Sequence, residues 1–275
     1  MSKAVFTTVR GAFAGLAMAV ATLALSGCGS SDDDKNYVEQ PVEVLYNRAL
    51  DDLGAQEYKA AAKGFEEVDR QHPYSVWATK AQIMAAFAYY QSNKYDEAII
   101  ALDRFIQLHP GHRDIPYAYY LKALCFYEQI SDVGRDQRVT QQALDALAEV
   151  VKRFPESPYA RDARLKVELA IDHLAGKEMS VGRYYQSNQQ YVGAINRYRV
   201  VIERYQTTTH VPEALHRLVE TYLSLGVKSE AQEAAAVLGY NFPGSEWYQD
   251  SYYLMTGEGT PAPSDEKRGW FFGLF

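Results

Sequence analysis

The side chain best placed for covalent chemistry is the thiol of Cys28, which ends the run Leu25-Ser26-Gly27-Cys28. Residues 11–25 before it carry no charge, and the charges further upstream are two cations, Lys3 and Arg10. A membrane-spanning helix needs about 20 apolar residues, so this shorter run with a basic flank fits a secretory signal peptide better. A buried core helix is the alternative. A thiol is a strong nucleophile once it is deprotonated, so covalent modification is the chemistry that this position offers.

The sequence around Cys28 resembles the bacterial lipobox, in which a leucine lies three residues before a cysteine and two small residues separate them. This resemblance implies that residues 1–27 are removed as a lipoprotein signal and that Cys28 becomes acylated. Residues 28–40 would then form a flexible, acidic tether of up to about 40 Å that is too polar to bury a core. The absence of an aspartate directly after the cysteine implies sorting to the outer membrane, with the protein facing the periplasm. The alternative is a cysteine without a lipid after an ordinary signal.

The charge of the sequence argues against nucleic-acid binding, and the lack of known catalytic motifs argues against catalysis. The formal charge is −7, or −9 once Lys3 and Arg10 leave with the signal, and no segment is dense in lysine and arginine. The sequence contains no GxSxG, HExxH, phosphate-loop or GxGxxG motif. His109 and His112 have a spacing that could bind a metal, but a structural site needs four ligands and Asp114 is the one further candidate nearby. We therefore predict a protein without enzymatic activity, cofactor or bound metal.

The cysteine content limits the covalent stabilisation of the fold. The whole sequence has two cysteines, Cys28 and Cys125, and Cys125 lies in an apolar-rich stretch. With Cys28 acylated no internal disulfide can form, so we predict that Cys125 is a small core residue.

The helices predicted after the tether form an internal repeat, and they must carry any binding surface. A helix restarts in five places, and each restart has an alanine at its fourth position. These alanines are Ala61, Ala98, Ala143, Ala194 and Ala231, at intervals of 37, 45, 51 and 37 residues. Twelve residues after four of them comes a proline, at Pro73, Pro110, Pro155 and Pro243, and Gln206 takes that place in the fourth unit. The pattern is similar to the tetratricopeptide repeat, which has a period of about 34 residues with small and aromatic residues at fixed points.

These landmarks predict an all-α, tetratricopeptide-repeat-like solenoid of about five helix pairs over residues 41–256. Small residues let two antiparallel helices approach closely, bulky residues fill the gap to the next pair, and a proline ends the second helix. The two longer intervals predict a polar loop or helix extension at residues 131–137 and one long helix over residues 160–186. An irregular helical bundle is the alternative. Stacked pairs of this kind form a concave face that holds peptides or partner helices.

Three segments resemble the BamD/ComL family of lipoproteins, which are subunits of the outer-membrane β-barrel assembly machinery. They are YYQSNKYDEAIIALDRFIQLHPGH (89–112), FPESPYARDA (154–163) and SVGRYYQSNQQYVGAINRYRVVIERY (180–205). The resemblance implies a non-catalytic scaffold whose C-terminal repeats bind the last POTRA domain of a BamA-type barrel protein, alongside other subunits of the complex. It also implies that the N-terminal repeats receive segments of unfolded outer-membrane proteins.

The resemblance also implies which residues bind. Arg183 and Arg197 would lie in the half that faces the barrel protein, and a guanidinium suits bidentate pairing with partner carboxylates. Tyr119 and Tyr120 would lie toward the half that faces unfolded substrates, where tyrosine offers apolar area and a hydroxyl group. For the arginines the alternative is solvation or a local ion pair. For the tyrosines it is packing between repeats, and we expect at most one of the two to point outward.

Residues 257–275 form a linker and a hydrophobic tail that ends in GWFFGLF. This tail could dock on the last groove of the solenoid, insert at the membrane interface, or bind another subunit.

Two other functions are open for the whole chain. It could be a repeat lipoprotein that serves pilus or secretin assembly, or one that coordinates division of the cell envelope. The intervals of 45 and 51 residues differ from the regular, shorter period of pilus-type proteins. A periplasmic hydrolase with a helical domain would need a catalytic motif, which the sequence lacks.

Overall fold

The computed structural model describes residues 39–258, and within this range the chain forms eleven α-helices and no strand. They are α1 (Val42–Gly54), α2 (Tyr58–Gln71), α3 (Val76–Gln91), α4 (Tyr95–Leu108), α5 (Ile115–Tyr127), α6 (Arg138–Arg153), α7 (Ala160–Ser187), α8 (Tyr191–Arg204), α9 (Val211–Ser224), α10 (Lys228–Asn241) and α11 (Glu246–Thr256). Each helix packs on the next along the chain, and α11 packs on both α9 and α10. The predicted all-α fold of five helix pairs, α1/α2 to α9/α10, is confirmed.

The five alanines that mark the repeat lie where the helices of each pair meet. All five have zero solvent exposure. Glycines allow equally close contacts in two of the pairs. A Cβ atom on Gly64 would lie 2.9 Å from Cβ of Ala49, and a Cβ atom on Gly182 would lie 2.4 Å from Cε1 of Tyr198. The small residues are therefore required by the separation of the helices, as the repeat pattern predicts.

The turns between pairs share one backbone geometry, and four of these turns contain a proline of the repeat. Each of the four prolines lies two residues after the end of a second helix, and a residue before proline is restricted to φ near about −120°. His72, for example, has φ −132° and ψ 57°. Tyr205 precedes Gln206 and still adopts φ −122° and ψ 44°. The fourth turn thus has the geometry of the others without a proline.

The short turns inside four of the pairs also share one conformation. Each contains a residue with positive φ: Gln56 (63°), Asn93 (58°), Gln189 (59°) and Gly226 (77°). A residue in the left-handed backbone conformation lets the chain reverse within three residues. For a residue other than glycine, this conformation costs about 1 kcal/mol or more of free energy. The third pair lacks such a turn and is connected by residues 128–137 instead.

The third and fourth pairs contain the two insertions. Residues 131–137 form a loop, as one of the two predictions for them stated, and α6 begins at Arg138, two residues before the predicted restart. The long helix is confirmed: α7 has 28 residues, includes Gly176, and ends at Ser187, one residue later than predicted. The loop and the long helix are in contact, because Nζ of Lys177 donates to the carbonyl oxygen of Gly134 at 2.8 Å.

The core is formed by side chains from successive helices. Its largest fully buried members include Phe65, Phe105, Leu147 and Tyr198. Cys125 has zero exposure, and burial raises the pKa of its thiol to about 12. The prediction that Cys125 is a small core residue is therefore confirmed. Cys28 and the predicted signal, most of the tether and the tail from residue 259 onward lie outside the described residues.

Candidate functional site

Arg183 extends from α7 and pairs with a carboxylate on α9. Its Nη1 is 2.8 Å from Oε1 of Glu213, and the same oxygen is 3.5 Å from Nε of Arg217. The side chain of Glu213 is largely buried, whereas 44% of the Arg183 side chain is exposed. The buried carboxylate therefore positions a guanidinium whose outer part remains available at the surface.

Arg197 has a similar arrangement on the neighbouring helix α8. Its Nη1 is 3.0 Å from Oε2 of Glu178 on α7, and 42% of its side chain is exposed. The hydrogen bond to Glu178 raises the pKa of Arg197, with a smaller contribution from Tyr185, so the guanidinium stays charged. Each arginine thus forms a local ion pair, which was the alternative to partner binding considered from the sequence. Because nearly half of each side chain is also exposed, binding to a partner stays a prediction for both.

Behind Arg183 lies a buried polar network that joins α7, α9 and α11. Nη1 of Arg217 is 2.9 Å from Oε2 of Glu220, and Nε2 of Gln186 donates to the same oxygen at 3.0 Å. His216 contacts Oε1 of Glu220 through Nε2 at 3.4 Å, and its Nδ1 is 2.8 Å from Oγ of Ser251 on α11. Ser251 has zero exposure and His216 is buried. Through the contact between His216 and Ser251, the network attaches the last helix to the repeats.

Glu220 is strongly stabilised as a carboxylate in this network. Burial alone would raise its pKa, but the hydrogen bond and charge of His216, the charge of Arg217 and the amide of Gln186 together lower it to about 2. Arg217 remains protonated at any pH that proteins encounter, so its part of this stabilisation is always present. Trp247 covers the outer side, with its ring 5.6 Å from Cζ of Arg217 and 5.3 Å from the imidazole of His216.

Tyr119 and Tyr120 both contact the next helices, in two different places. The hydroxyl of Tyr119 accepts a hydrogen bond from Nη1 of Arg153 at 2.9 Å, and Cζ of Arg153 lies 5.1 Å from the ring centre. The hydroxyl of Tyr120 donates to Oδ2 of Asp162 at 2.5 Å, and its ring stacks on Tyr159 at 5.2 Å. Both tyrosines are half-buried, so neither points fully outward. Their packing between repeats is present, and a role in binding substrates stays a prediction.

A groove of about 220 Å³ lies between α2, α3 and α4, and the sequence analysis did not identify it. Its apolar lining is provided by Phe65, Ala85, Tyr89, Ile100 and Ala101, and its charged lining by Glu66, Asp69, Glu97 and Arg104. The hydroxyl of Tyr89 donates to Oε1 of Glu66 at 2.7 Å across this groove. One residue in the sequence indicates this groove. Ile100 is apolar but lies off the buried face of α4, and it is 70% exposed.

The two histidines considered as metal ligands from the sequence contact a glutamine and an aspartate. Nε2 of His109 is 3.1 Å from Oε1 of Gln82, and Nδ1 of His112 is 3.7 Å from Oδ2 of Asp114. Among residues 39–258, no group of three or more potential ligands could hold a metal ion. In the same range no helix is both long and apolar enough to span a membrane.

Residues 38–238 match the model of the YfiO family, which is described as "Outer membrane lipoprotein". The chain is 49% identical to the outer membrane protein assembly factor BamD of Caulobacter vibrioides over 257 residues, which covers 92% of this chain and 84% of that protein. It is 45% identical to the BamD of Rickettsia prowazekii over 239 residues, which covers 87% of this chain and 95% of that protein.

Two more proteins are similar to this chain. The BamD of Neisseria meningitidis serogroup A is 37% identical and covers 81% of this chain and 89% of its own. Among solved structures, the TPR domain of P58(IPK) matches 78% of this chain and 56% of its own at 15% identity, with a TM-score of 0.40. The named relatives are factors of outer membrane protein assembly. The chain belongs to the BamD family of outer membrane lipoproteins.

Proposed function

We propose that this chain is a non-catalytic scaffold lipoprotein of the outer-membrane β-barrel assembly complex. Acylated Cys28 anchors it in the outer membrane, and its helical repeats face the periplasm. The observation that carries the proposal is the pair of half-exposed arginines, Arg183 and Arg197, each held in place by a less exposed carboxylate on an adjacent helix. Such fixed cations lose little conformational entropy on binding, which favours recognition of an acidic partner surface.

The C-terminal repeats bind the POTRA region of a BamA-type barrel protein through these two arginines. Charge-assisted pairs with arginine are frequent among the residues that dominate interface energies. The polar network around Glu220 supports this role indirectly, because it fixes α9 against α7 and α11 and so keeps Glu213 in place behind Arg183.

The N-terminal repeats receive segments of unfolded outer-membrane proteins. The groove between α2, α3 and α4 supports this part of the proposal, since its lining combines apolar side chains with carboxylates and one guanidinium. An extended chain with alternating apolar and polar side chains fits such a lining. Tyr119 and Tyr120, which are half-buried, contribute apolar area and hydroxyl groups.

The direct test is to isolate the complex from detergent-solubilised envelopes and identify what co-purifies by mass spectrometry. An affinity tag inserted after Asp136, whose side chain is 82% exposed, leaves both termini unchanged. A POTRA-bearing barrel protein should dominate the co-purified material. Recovery of secretin or pilus proteins, or of cell-division and peptidoglycan factors, without that barrel protein would instead support one of the two alternative functions.

The role of Arg197 needs a test that separates partner binding from internal packing. Arg197→Ala removes both the surface cation and the pair with Glu178, whereas Glu178→Gln breaks the same pair and keeps the cation. Arg199→Ala is a matched control, because Arg199 is on the same helix and has a local partner in Glu203. We expect Arg197→Ala to reduce co-purified barrel protein about tenfold, equivalent to about 1.4 kcal/mol. Glu178→Gln should reduce it only about threefold, because the cation remains but is no longer held in place, and Arg199→Ala should leave it unchanged within about twofold. An equal loss with Glu178→Gln would mean that Arg197 acts only by holding α8 against α7.

A further inference from the structure

A groove beside Arg197 extends along the junction of α7 and α8. Its first part has a volume of about 330 Å³ and is lined by Tyr185, Gly193, Asn196, Arg197 and Val200. A second part of about 450 Å³ also contains Tyr185 and Gly193, and it continues over the turn between the two helices to Leu225, just beyond α9. Because the two parts share these residues, they form one groove with a guanidinium at one end.

Gly193 gives access to the ring of Tyr185, which both parts of the groove share. A Cβ atom on Gly193 would lie 3.2 Å from Cγ of Tyr185, so a side chain at this position would cover the ring. The corresponding positions of the other repeats, each directly before the repeat alanine, carry side chains: Ala60, Glu97, Gln142 and Glu230. An accessible aromatic ring offers a large apolar contact area. The open place at Gly193 therefore indicates a site for a side chain of another molecule.

The groove combines one cation with an apolar rim, and no carboxylate lines it. Val192 and Leu225 at the rim are 67% and 42% exposed. The groove between α2, α3 and α4 occupies the same place in the repeat, because its Ala101 lies three residues after a repeat alanine, as Arg197 does. Three carboxylates line that other groove. The difference in charge makes the groove beside Arg197 the one that fits an acidic ligand with an apolar neighbour.

We propose that this groove receives an apolar side chain of the partner whose carboxylate pairs with Arg197, an inference that rests on the proposed function. The POTRA region of the barrel protein presents an acidic and an apolar side chain next to each other at this point. Both contacts are fixed in advance, because Glu178 holds the guanidinium at 3.0 Å and Tyr185 packs against the core of the last repeats. A folded surface can meet two fixed sites without losing conformational entropy, which favours it over an unfolded segment.

Polar substitution of the rim tests the groove in the co-purification described above. Val192→Asn with Leu225→Asn removes the apolar rim and leaves Arg197 in place. The matched control is Val76→Asn with Leu108→Asn, which changes the same residue types at 77% and 56% exposure in the N-terminal repeats. We expect about tenfold less barrel protein with the rim variant, and no change beyond about twofold with the control. If Arg197→Ala lowers recovery and the rim variant does not, the groove inference is wrong and the proposed function stands; if neither lowers it, both are wrong.

Gly193→Ala tests access to the ring of Tyr185 with a single methyl group. This methyl carbon would lie 3.2 Å from the ring and narrow the groove, whereas a Cβ atom on Gly54 has no heavy atom within 4 Å, so Gly54→Ala is the control. We expect Gly193→Ala to lower recovery of the barrel protein about threefold and Gly54→Ala to leave it unchanged. Thermal unfolding followed by circular dichroism verifies that both variants keep the fold. Equal recovery with the two variants would contradict the insertion of a side chain at Tyr185.

Photo-crosslinking identifies the occupant of the groove directly. The photoreactive residue p-benzoylphenylalanine replaces Val192 and, in a reference chain, Val76, and whole cells are irradiated before purification. We expect the product from position 192 to contain the barrel protein, and position 76 to give little or none of it. A product from position 192 that contains other, unfolded outer-membrane proteins in place of the barrel protein would assign the groove to substrate and overturn the inference.

Discussion

Replacing Glu220 with glutamine should destabilise the fold by about 3 kcal/mol at neutral pH. The carboxylate has Arg217, His216 and Gln186 as partners, and 28% of its side chain is exposed. Its pKa falls from 4.5 to about 2 on folding, and one pKa unit corresponds to about 1.4 kcal/mol. The ionised form is therefore favoured in the folded protein by about 3 kcal/mol, and glutamine cannot provide this charge.

The lowered pKa of Glu220 determines how its contribution to stability changes with pH. Because the pKa of Glu220 is lower in the folded chain, its contribution to stability is complete above about pH 5 and disappears as the pH falls through about 2. At pH 3.5 Glu220 is mostly protonated in the unfolded chain and mostly ionised in the folded chain. About 2 kcal/mol of its contribution to stability should therefore remain. The free-energy difference between the unchanged protein and the Glu220→Gln variant should thus decrease on acidification.

Urea unfolding followed by circular dichroism at pH 7 and pH 3.5 measures both quantities. Glu203→Gln is the matched control, since Glu203 forms an exposed pair with Arg199 one helical turn away and should contribute less than about 0.5 kcal/mol at either pH. The dependence on urea concentration should have the same slope in all three proteins, which shows that the variants unfold to the same extent. A loss below about 1 kcal/mol at pH 7, or a loss that grows on acidification, would refute the physical account of this network.

Three further outcomes follow from single contacts, each measured as a change in the free energy of unfolding by urea. Gly182→Ala should cost about 2 kcal/mol, because the new methyl group would lie 2.4 Å from the buried ring of Tyr198; an unchanged stability would show that the ring moves easily. Gly226→Ala should cost about 1 kcal/mol, because φ is 77° and the surrounding space is empty, so strain is the one new term. Tyr120→Phe should cost about 1 kcal/mol through loss of its hydrogen bond to Asp162, and a neutral result would mean that solvent replaces this bond without loss.

The fold could be predicted from the sequence because its landmarks are local requirements of geometry. An alanine such as Ala98 is needed where two helices approach, and a proline such as Pro110 is favoured where the second helix ends. Both residue types can be read from the chain without knowledge of its neighbours. Gln206 shows the limit of this reading, since its turn keeps the common geometry although the marker residue is absent.

The candidate site could be predicted only in part because its contacts join distant positions. Arg183 and Glu213 are thirty residues apart and Glu220 lies beyond them, so a lone arginine in the sequence does not disclose its carboxylate. The same holds for the pair of Tyr120 with Asp162, which are separated by 42 residues. The groove beside Ile100 depends on three helices at once. Residue type indicated which side chains could bind, and the packing of helices decides how much of each remains exposed.

The two long repeat intervals are best understood as one feature of the structure. The extra length of α7 adds about four helical turns that no standard repeat helix would cover. The loop of residues 131–137 contacts this part of α7 through Gly134 and Lys177, and a Cβ atom on Gly176 would lie 3.7 Å from Cγ1 of Val133. On the other side, Oδ1 of Asp172 accepts hydrogen bonds from the backbone and hydroxyl of Thr209. The inserted loop therefore supports the inserted turns of the helix, and shortening either one alone would leave the other without its packing partner.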